Sequence, residues 1–417
     1  MLKRSFKATI TASCLGYFTQ AILINFAPLL FITFQKEFGL TIAQLSVLIA
    51  TNFATELLID FLGTKYVSKI GYRRSVIIAQ VLSVMGLVMI PVMPKILPYK
   101  FLALEIATIF CGLGGGLIEV LISPIVEACP TKRKSAIMSM LHSFYCWGQM
   151  GVVLLSTIYF RTVGIENWEY LSLIWAIIPA IDLILFCFVP INILVDESEE
   201  SSFGDLIKQK LFWVFLVMML CAGATELSMS QWASAFAEAG LGVEKWVGDL
   251  LGPCLFAVVM GSTRIFYAMN SERIGLKKGI LVSSSICVVS YLVAIFSPIP
   301  IISLLGCAMC GVGSGMLWPG TYSIATNRLP KGGVPMFGLL ALAGDLGCLS
   351  GPYLTGMVSN AFDGNLKAGF LFSLIFPITL IIMVIILMKY FKKPQNNKKP
   401  KRGCLIKTAS FFWGLVK

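Results

Sequence analysis

Apolar runs long enough to cross a membrane recur along almost the whole chain, and no other feature of the sequence restricts the fold so strongly. A helix needs about 20 apolar residues to cross the hydrocarbon core of a bilayer. Runs of that kind occupy residues 8–34, 42–66, 75–94, 101–126, 135–160 and 169–195, then 211–237, 246–270, 279–298, 300–326, 334–360 and 367–391. Lys3, Arg4 and Lys7 before the first run resemble the start of a signal peptide. That run is too long for a signal core and has no clear cleavage site, so it reads as the first span. With 57% hydrophobic and only 13% charged residues, a soluble domain is excluded. The expectation is an all-α membrane protein with twelve transmembrane helices.

The net charge of +12 could suggest nucleic acid, but the basic residues fall in short segments between apolar runs, which excludes a nucleic-acid groove. Only six of the 33 lysines and arginines lie on the side opposite the chain ends, and Arg264 lies inside a span. The asymmetry places both termini in the cytoplasm of a multi-pass cell-membrane protein. A polar stretch, Asp196-Glu197-Ser198-Glu199-Glu200, divides the spans six and six. The layout is an N-terminal bundle over 1–195, a cytoplasmic linker over 196–210, a C-terminal bundle over 211–391 and a basic cytoplasmic tail over 392–417. The tail ends in Phe411, Phe412 and Trp413, suited either to a lipid surface or to a disordered basic segment.

Two internal echoes tie the halves together. Cys111-Gly112-Leu113-Gly114-Gly115-Gly116 returns 199 residues later as Cys310-Gly311-Val312-Gly313-Ser314-Gly315, with Trp318 where Glu119 stood. Lys69-Ile70-Gly71-Tyr72-Arg73-Arg74 returns as Arg273-Ile274-Gly275-Leu276-Lys277-Lys278, displaced by 204. Duplicated halves of this kind belong above all to secondary transporters, and they predict two bundles related by a pseudo-twofold.

On these residues the chain resembles the major facilitator superfamily over essentially its full length. The loop between that family's second and third helices carries Gly-x-x-x-Asp-Arg/Lys-x-Gly-x-Arg/Lys. Lys69, Gly71, Arg73 and Arg74 match it, whereas Thr64 and Ser68 stand at the leading glycine and the acid. The second copy keeps an acid as Glu272, beside Arg273 and Gly275 and followed by Lys277. The resemblance implies a cytoplasmic gate built from these residues, with Asp60 upstream substituting for the missing acid. Within the superfamily, Gly112-Leu113-Gly114 leading to Glu119 and then Ser123-Pro124 resembles the fourth helix of the fucose permease branch, which is made of sugar:proton symporters. Leu141-His142-Ser143-Phe144 resembles its fifth, where a glutamine and an asparagine would fall at His142 and Tyr145. The branch's first-helix aspartate falls at Pro28, which leaves Gln20 and Asn25 as the polar groups of that span and points to a solute other than fucose.

A mechanism would have to use the intramembrane acids, because an ionised carboxylate at the bilayer centre costs roughly 2.5 to 3.5 kcal/mol on insertion scales and needs a partner, water or a proton. Glu119, Glu226 and Asp345 are the candidates for proton coupling. A carboxylate bonded to a neighbouring helix would give the same pattern. Asn52, Glu56 and Asp60 are spaced to form one helical stripe, either a polar track or an inter-helix network, and Asp182 has no polar company in sequence. His142, Tyr145, Gln231, Trp232, Trp318, Tyr322, Gln20 and Asn25 are the candidate solute contacts, the rings because aromatic faces stack on sugars. Pro319 can interrupt its helix and free carbonyls to face a cavity.

Other classes fit less well. The chain has one histidine, and its cysteines lie mostly within apolar runs, so no metal or cofactor site is expected. It has no Gly-x-x-x-x-Gly-Lys-Ser/Thr loop for ATP. Leu342 occupies the position where an intramembrane aspartyl protease needs glycine before Gly344-Asp345, so an enzyme is not expected. The reading is a monomeric secondary transporter of a sugar or similar small polar solute, a proton symporter in the first place, with sodium as the other coupling ion. A drug or metabolite exporter on the same fold is the alternative, although the fifth span, Gly148-Gln149-Met150-Gly151, lacks the Gly-Pro pattern common in exporters.

Overall fold

The computed structural model describes residues 6–130, 134–191, 203–270, 275–329 and 333–390. The long helices are α1 (Phe6–Phe38), α2 (Ile42–Ile70), α3 (Tyr72–Ile96), α4 (Lys100–Glu127), α5 (Lys134–Val163), α6 (Trp168–Phe188), α7 (Lys210–Gly240), α8 (Lys245–Tyr267), α9 (Leu276–Phe296), α10 (Pro300–Arg328), α11 (Gly333–Ala361) and α12 (Leu366–Lys389). Ten of these are long and apolar enough to cross a membrane, and α5 and α11 are of similar length, consistent with the twelve spans expected. The tail over 392–417 and most of the linker lie outside the described residues; a short helix, Phe203–Ile207, precedes α7.

Local breaks have sequence causes. In α1 the helix stops at Asn25 and resumes through a 3-10 turn, Ala27–Leu30, because Pro28 has no N–H to donate to the preceding turn. The facing ends of α7 and α8 each contain a π-helical turn, Phe236–Gly240 and Leu250–Cys254. Pro319 does not interrupt its helix: α10 runs unbroken from Pro300 to Arg328. A proline removes one backbone bond, and the packing on both sides holds the helix through it.

The two glycine echoes turn out to be one packing unit used twice. A Cβ on Gly112 would meet Asn52 O at 2.7 Å and Thr55 Cβ at 2.8 Å on α2, and one on Gly114 would collide with Ser83 Oγ on α3. In the second half, a Cβ on Gly311 would collide with Phe256 O and meet Val259 on α8, while one on Gly313 would collide with Cys287 Sγ and meet Ser283 O at 2.6 Å on α9. Asn52 to Phe256, Thr55 to Val259, Ala79 to Ser283 and Ser83 to Cys287 are each separated by 204 residues, the displacement of the loop echo. The contacts of α4 with α2 and α3 are therefore reproduced, partner for partner, by α10 with α8 and α9. Small residues permit this because lipid supplies no hydrophobic drive between helices and close van der Waals approach must replace it.

This geometry sets a test. Gly313→Val is expected to destabilise by about 1–3 kcal/mol through overpacking, seen as a lower melting temperature in detergent. Gly338→Ala, where nothing lies within 4 Å of the added carbon, is expected to leave it unchanged or slightly raised.

Candidate functional site

The acids singled out from sequence are brought to the centre from both halves. Glu119, half-buried on α4, accepts a hydrogen bond of 2.7 Å from Gln20 Nε2 on α1. Glu226, buried on α7, has Oε2 at 3.6 Å from Arg264 Nη2 on α8. Glu56, buried on α2, accepts from Asn52 Nδ2 at 3.2 Å, as the four-residue stripe requires. Its Oε1 lies 2.6 Å from where a Cβ on Gly115 would sit, so the glycine run of α4 makes the room for this carboxylate. Asp345 lies half-buried on α11, and Cys348, one turn on, is within electrostatic reach of Asp345, Glu226, Glu119 and Glu56 together. Two helices from each half thus deliver carboxylates to one region.

The polar and aromatic candidates divide into two groups. Tyr145 on α5 lies near Asn25 on α1 and within electrostatic reach of Glu56 and Glu226. Asn25 Nδ2 also donates to Ala21 O at 2.9 Å. Tyr322 on α10 is close to Asp345 and, across the halves, to Glu119. Trp318 lays its ring on α11 at Gly344, where an added Cβ would collide with it. These residues surround the acids. Trp232, by contrast, is fully buried, with Nε1 donating to Pro352 O at 2.9 Å and its ring 5.4 Å from that of Phe31. The structure puts it in the joint between the halves rather than on a cavity wall. Gln231 is also buried, with Nε2 unpartnered, and borders a cavity of about 30 Å³ with Asn52 and Phe31. That volume suits water rather than a solute. The side chain of His142 lies outside the described residues.

The residues expected to form a cytoplasmic gate are only partly among those described. The side chains of Asp60 and Lys69, and the whole of Glu272 and Arg273, lie outside the described residues. Gly71 has φ +90°, where other residues are strained. Arg73 donates to the carbonyls of Phe186 and Val189, both at 2.7 Å, and of Cys187 at 2.9 Å, so it closes the C-terminal end of α6 as cations do. Arg74 is exposed, Gly275 caps the start of α9, and Lys277 Nζ lies 3.5 Å from Leu387 O.

At the face opposite the chain ends the halves are joined directly. Lys36 Nζ pairs with Glu238 at 2.8 Å, and the Arg161 guanidinium lies 4.1 Å above the Trp246 ring. Asp249, 1% exposed, pairs with Lys245 at 3.0 Å, accepts from Ser234 Oγ at 2.5 Å and lies 3.5 Å from Thr157 Oγ1 on α5.

Sequence reading missed three of these groups. Arg264 was visible as a cation inside a span, a signal that always asks for a partner; that the partner is Glu226 needed the fold. Asp249 was hidden at a span end. Asp182 does have polar company: Gln80 Nε2 on α3 donates to its Oδ2 at 2.7 Å, a contact between residues 102 apart that no local pattern announces.

Comparison with known proteins agrees with this architecture. The sequence profile of the Major Facilitator Superfamily matches residues 10–332 and 250–416. The chain belongs to the Major Facilitator Superfamily. A relative described as membrane protein MosC of Rhizobium meliloti is 23% identical over 358 residues, covering 85% of this chain and 84% of that protein. The crystal structure of a point mutant of the nucleoside transporter NupG superposes with a TM-score of 0.73 at 13% identity, covering 93% of this chain and 99% of that one. At that identity the likeness establishes the fold. The chain is a multi-pass membrane transporter of this superfamily, for which a small solute is the cargo.

For a buried ion pair, removing one partner is far more costly than removing both. Arg264→Met alone is therefore expected to lower stability by about 3–5 kcal/mol, whereas Arg264→Met combined with Glu226→Leu recovers most of the loss. Melting temperatures of the three proteins in one detergent test this.

Proposed function

We propose that the protein is a proton-coupled symporter of a small polyhydroxy solute, working by alternating access between the bundles 1–195 and 211–391, with both termini cytoplasmic in the cell membrane. The observation that carries the reading is the meeting of Glu119 with Gln20 and of Glu226 with Arg264 beside Asp345 and Glu56, from both halves. A carboxylate in such a place can hold a proton while the site is closed and release it when water enters. Glu119 is the leading coupling group, since Gln20 donates to it without neutralising it. Asp345 and Glu226 are the further candidates. Gln20, Asn25, Tyr145, Trp318 and Tyr322 supply donors, acceptors and ring faces, the equipment that sugar recognition needs.

The resemblance to the fucose permease branch favours a sugar, and the nucleoside transporter with the same fold favours a nucleoside. Both cargoes carry a ring with several hydroxyl groups. A thermal-shift screen of the purified protein against sugars, nucleosides and amphipathic cations separates these from export of drugs, for which stabilisation by hydrophobic cations alone is the expected signature.

Two measurements test the mechanism. Glu119→Gln is expected to abolish accumulation driven by a pH gradient while solute exchange persists; unchanged accumulation removes Glu119 from coupling. Cysteines replacing Lys36 and Glu238, joined by a short bis-maleimide, are expected to hold the far face shut and reduce transport at least tenfold. Full transport after verified cross-linking would show that this joint does not open during the cycle.

A further inference from the structure

A charged concavity lies at the face that carries the chain ends, lined by none of the central acids. Its volume is about 360 Å³, and it is formed by the start of α9, the end of α10 and the end of α12. Lys277, Lys278 and Arg328 line it together with Asn327, Leu276 and Met388. Among the described residues none of the three cations has a carboxylate partner. Lys277 and Arg328 are close enough to repel one another. The first turn of α9, whose N-cap Gly275 offers no side chain to the free backbone N–H groups, opens into the same space.

Topology alone explains why cations lie on this face, and a cation at the end of α10 complements the helix dipole. Neither requires three of them to converge on one cleft against their mutual repulsion. Such an arrangement is stabilised by an anion. The apolar wall of Leu276, Ile324 and Met388 further favours an amphiphile over a free ion, since inorganic phosphate would leave that surface uncovered. Basic pockets between helix ends at a membrane surface are a known means of holding acidic headgroups.

We propose that this cleft binds the phosphate headgroup of an anionic phospholipid from the adjacent leaflet, with Lys277, Lys278 and Arg328 as its ligands. The lipid then bridges α9, α10 and α12 at the base of the second half. This is independent of the cargo and of proton coupling.

The test is lipid retention by the full-length protein, read by native mass spectrometry after exchange into detergent containing phosphatidylglycerol or phosphatidylcholine of identical chains. Phosphatidylglycerol is expected to remain bound and phosphatidylcholine to be lost. Arg328→Gln is expected to weaken retention about fivefold, and the triple variant Lys277→Gln, Lys278→Gln, Arg328→Gln to abolish it. Arg74→Gln, an exposed cation on the same face, should have no effect, and Lys277→Arg with Lys278→Arg should keep the lipid. If the triple variant does not fold, the Arg328→Gln titration decides. Equal retention of both lipids, loss of retention with Arg74→Gln equal to that with Arg328→Gln, or full displacement of the lipid by millimolar inorganic phosphate would each overturn the proposal.

Discussion

A carboxylate surrounded by hydrocarbon has to be met by a donor, a cation or a proton, and this requirement organises the interior of the protein. Glu119 is met by Gln20, Glu226 by Arg264, Asp182 by Gln80 and Asp249 by Lys245 and Ser234. Apart from Lys245 with Asp249, which lies within α8, each pairing joins different helices, so satisfying the polar group also sets which helices are neighbours. The polar contacts are few, but each has a high cost of omission, because the alternative is an unsolvated charge.

Dispersion and close approach do the rest of the packing. The glycine runs of α4 and α10 let α2 and α3, and then α8 and α9, come within contact distance of bare backbone. The same scaffold is thus built twice with different side chains upon it. Where the first half places Glu56, the equivalent position of the second half, 204 residues later, is Met260. The duplication preserves the frame, and the asymmetry of the inserted charges makes one half different from the other. A symmetric frame carrying unequal polar groups is suited to a site that is approached from one side at a time.

The far-face joint has a different character from the centre. Lys36 with Glu238 and Arg161 with Trp246 are contacts near the span ends, where water competes and pairs are individually weak. Trp232, sealed against Phe31 and bonded to Pro352 O, adds an apolar plug beneath them. The joint thus combines weak polar contacts near the surface with an apolar contact beneath them. The π-helical turns near the adjoining ends of α7 and α8 add backbone irregularity beside this joint.

The all-helical membrane architecture, the duplication and several of the intramembrane acids, Glu119, Glu226 and Asp345 among them, were legible along the chain, whereas Asp249 was not. Their signals are local: hydrophobic length, repeated spacing, and charged letters inside apolar runs. Gln20, Glu119 and Tyr145 could be nominated in the same way, although their partners could not. What needed the tertiary structure was every pairing across helices: Arg264 to Glu226, Gln80 to Asp182, and Trp232 into a joint instead of a cavity wall. One dimension of sequence records which residues are costly to leave alone in lipid. Only the packed bundle decides which distant residue relieves that cost, because contacts across 99 or 102 residues depend on how whole helices are turned toward one another.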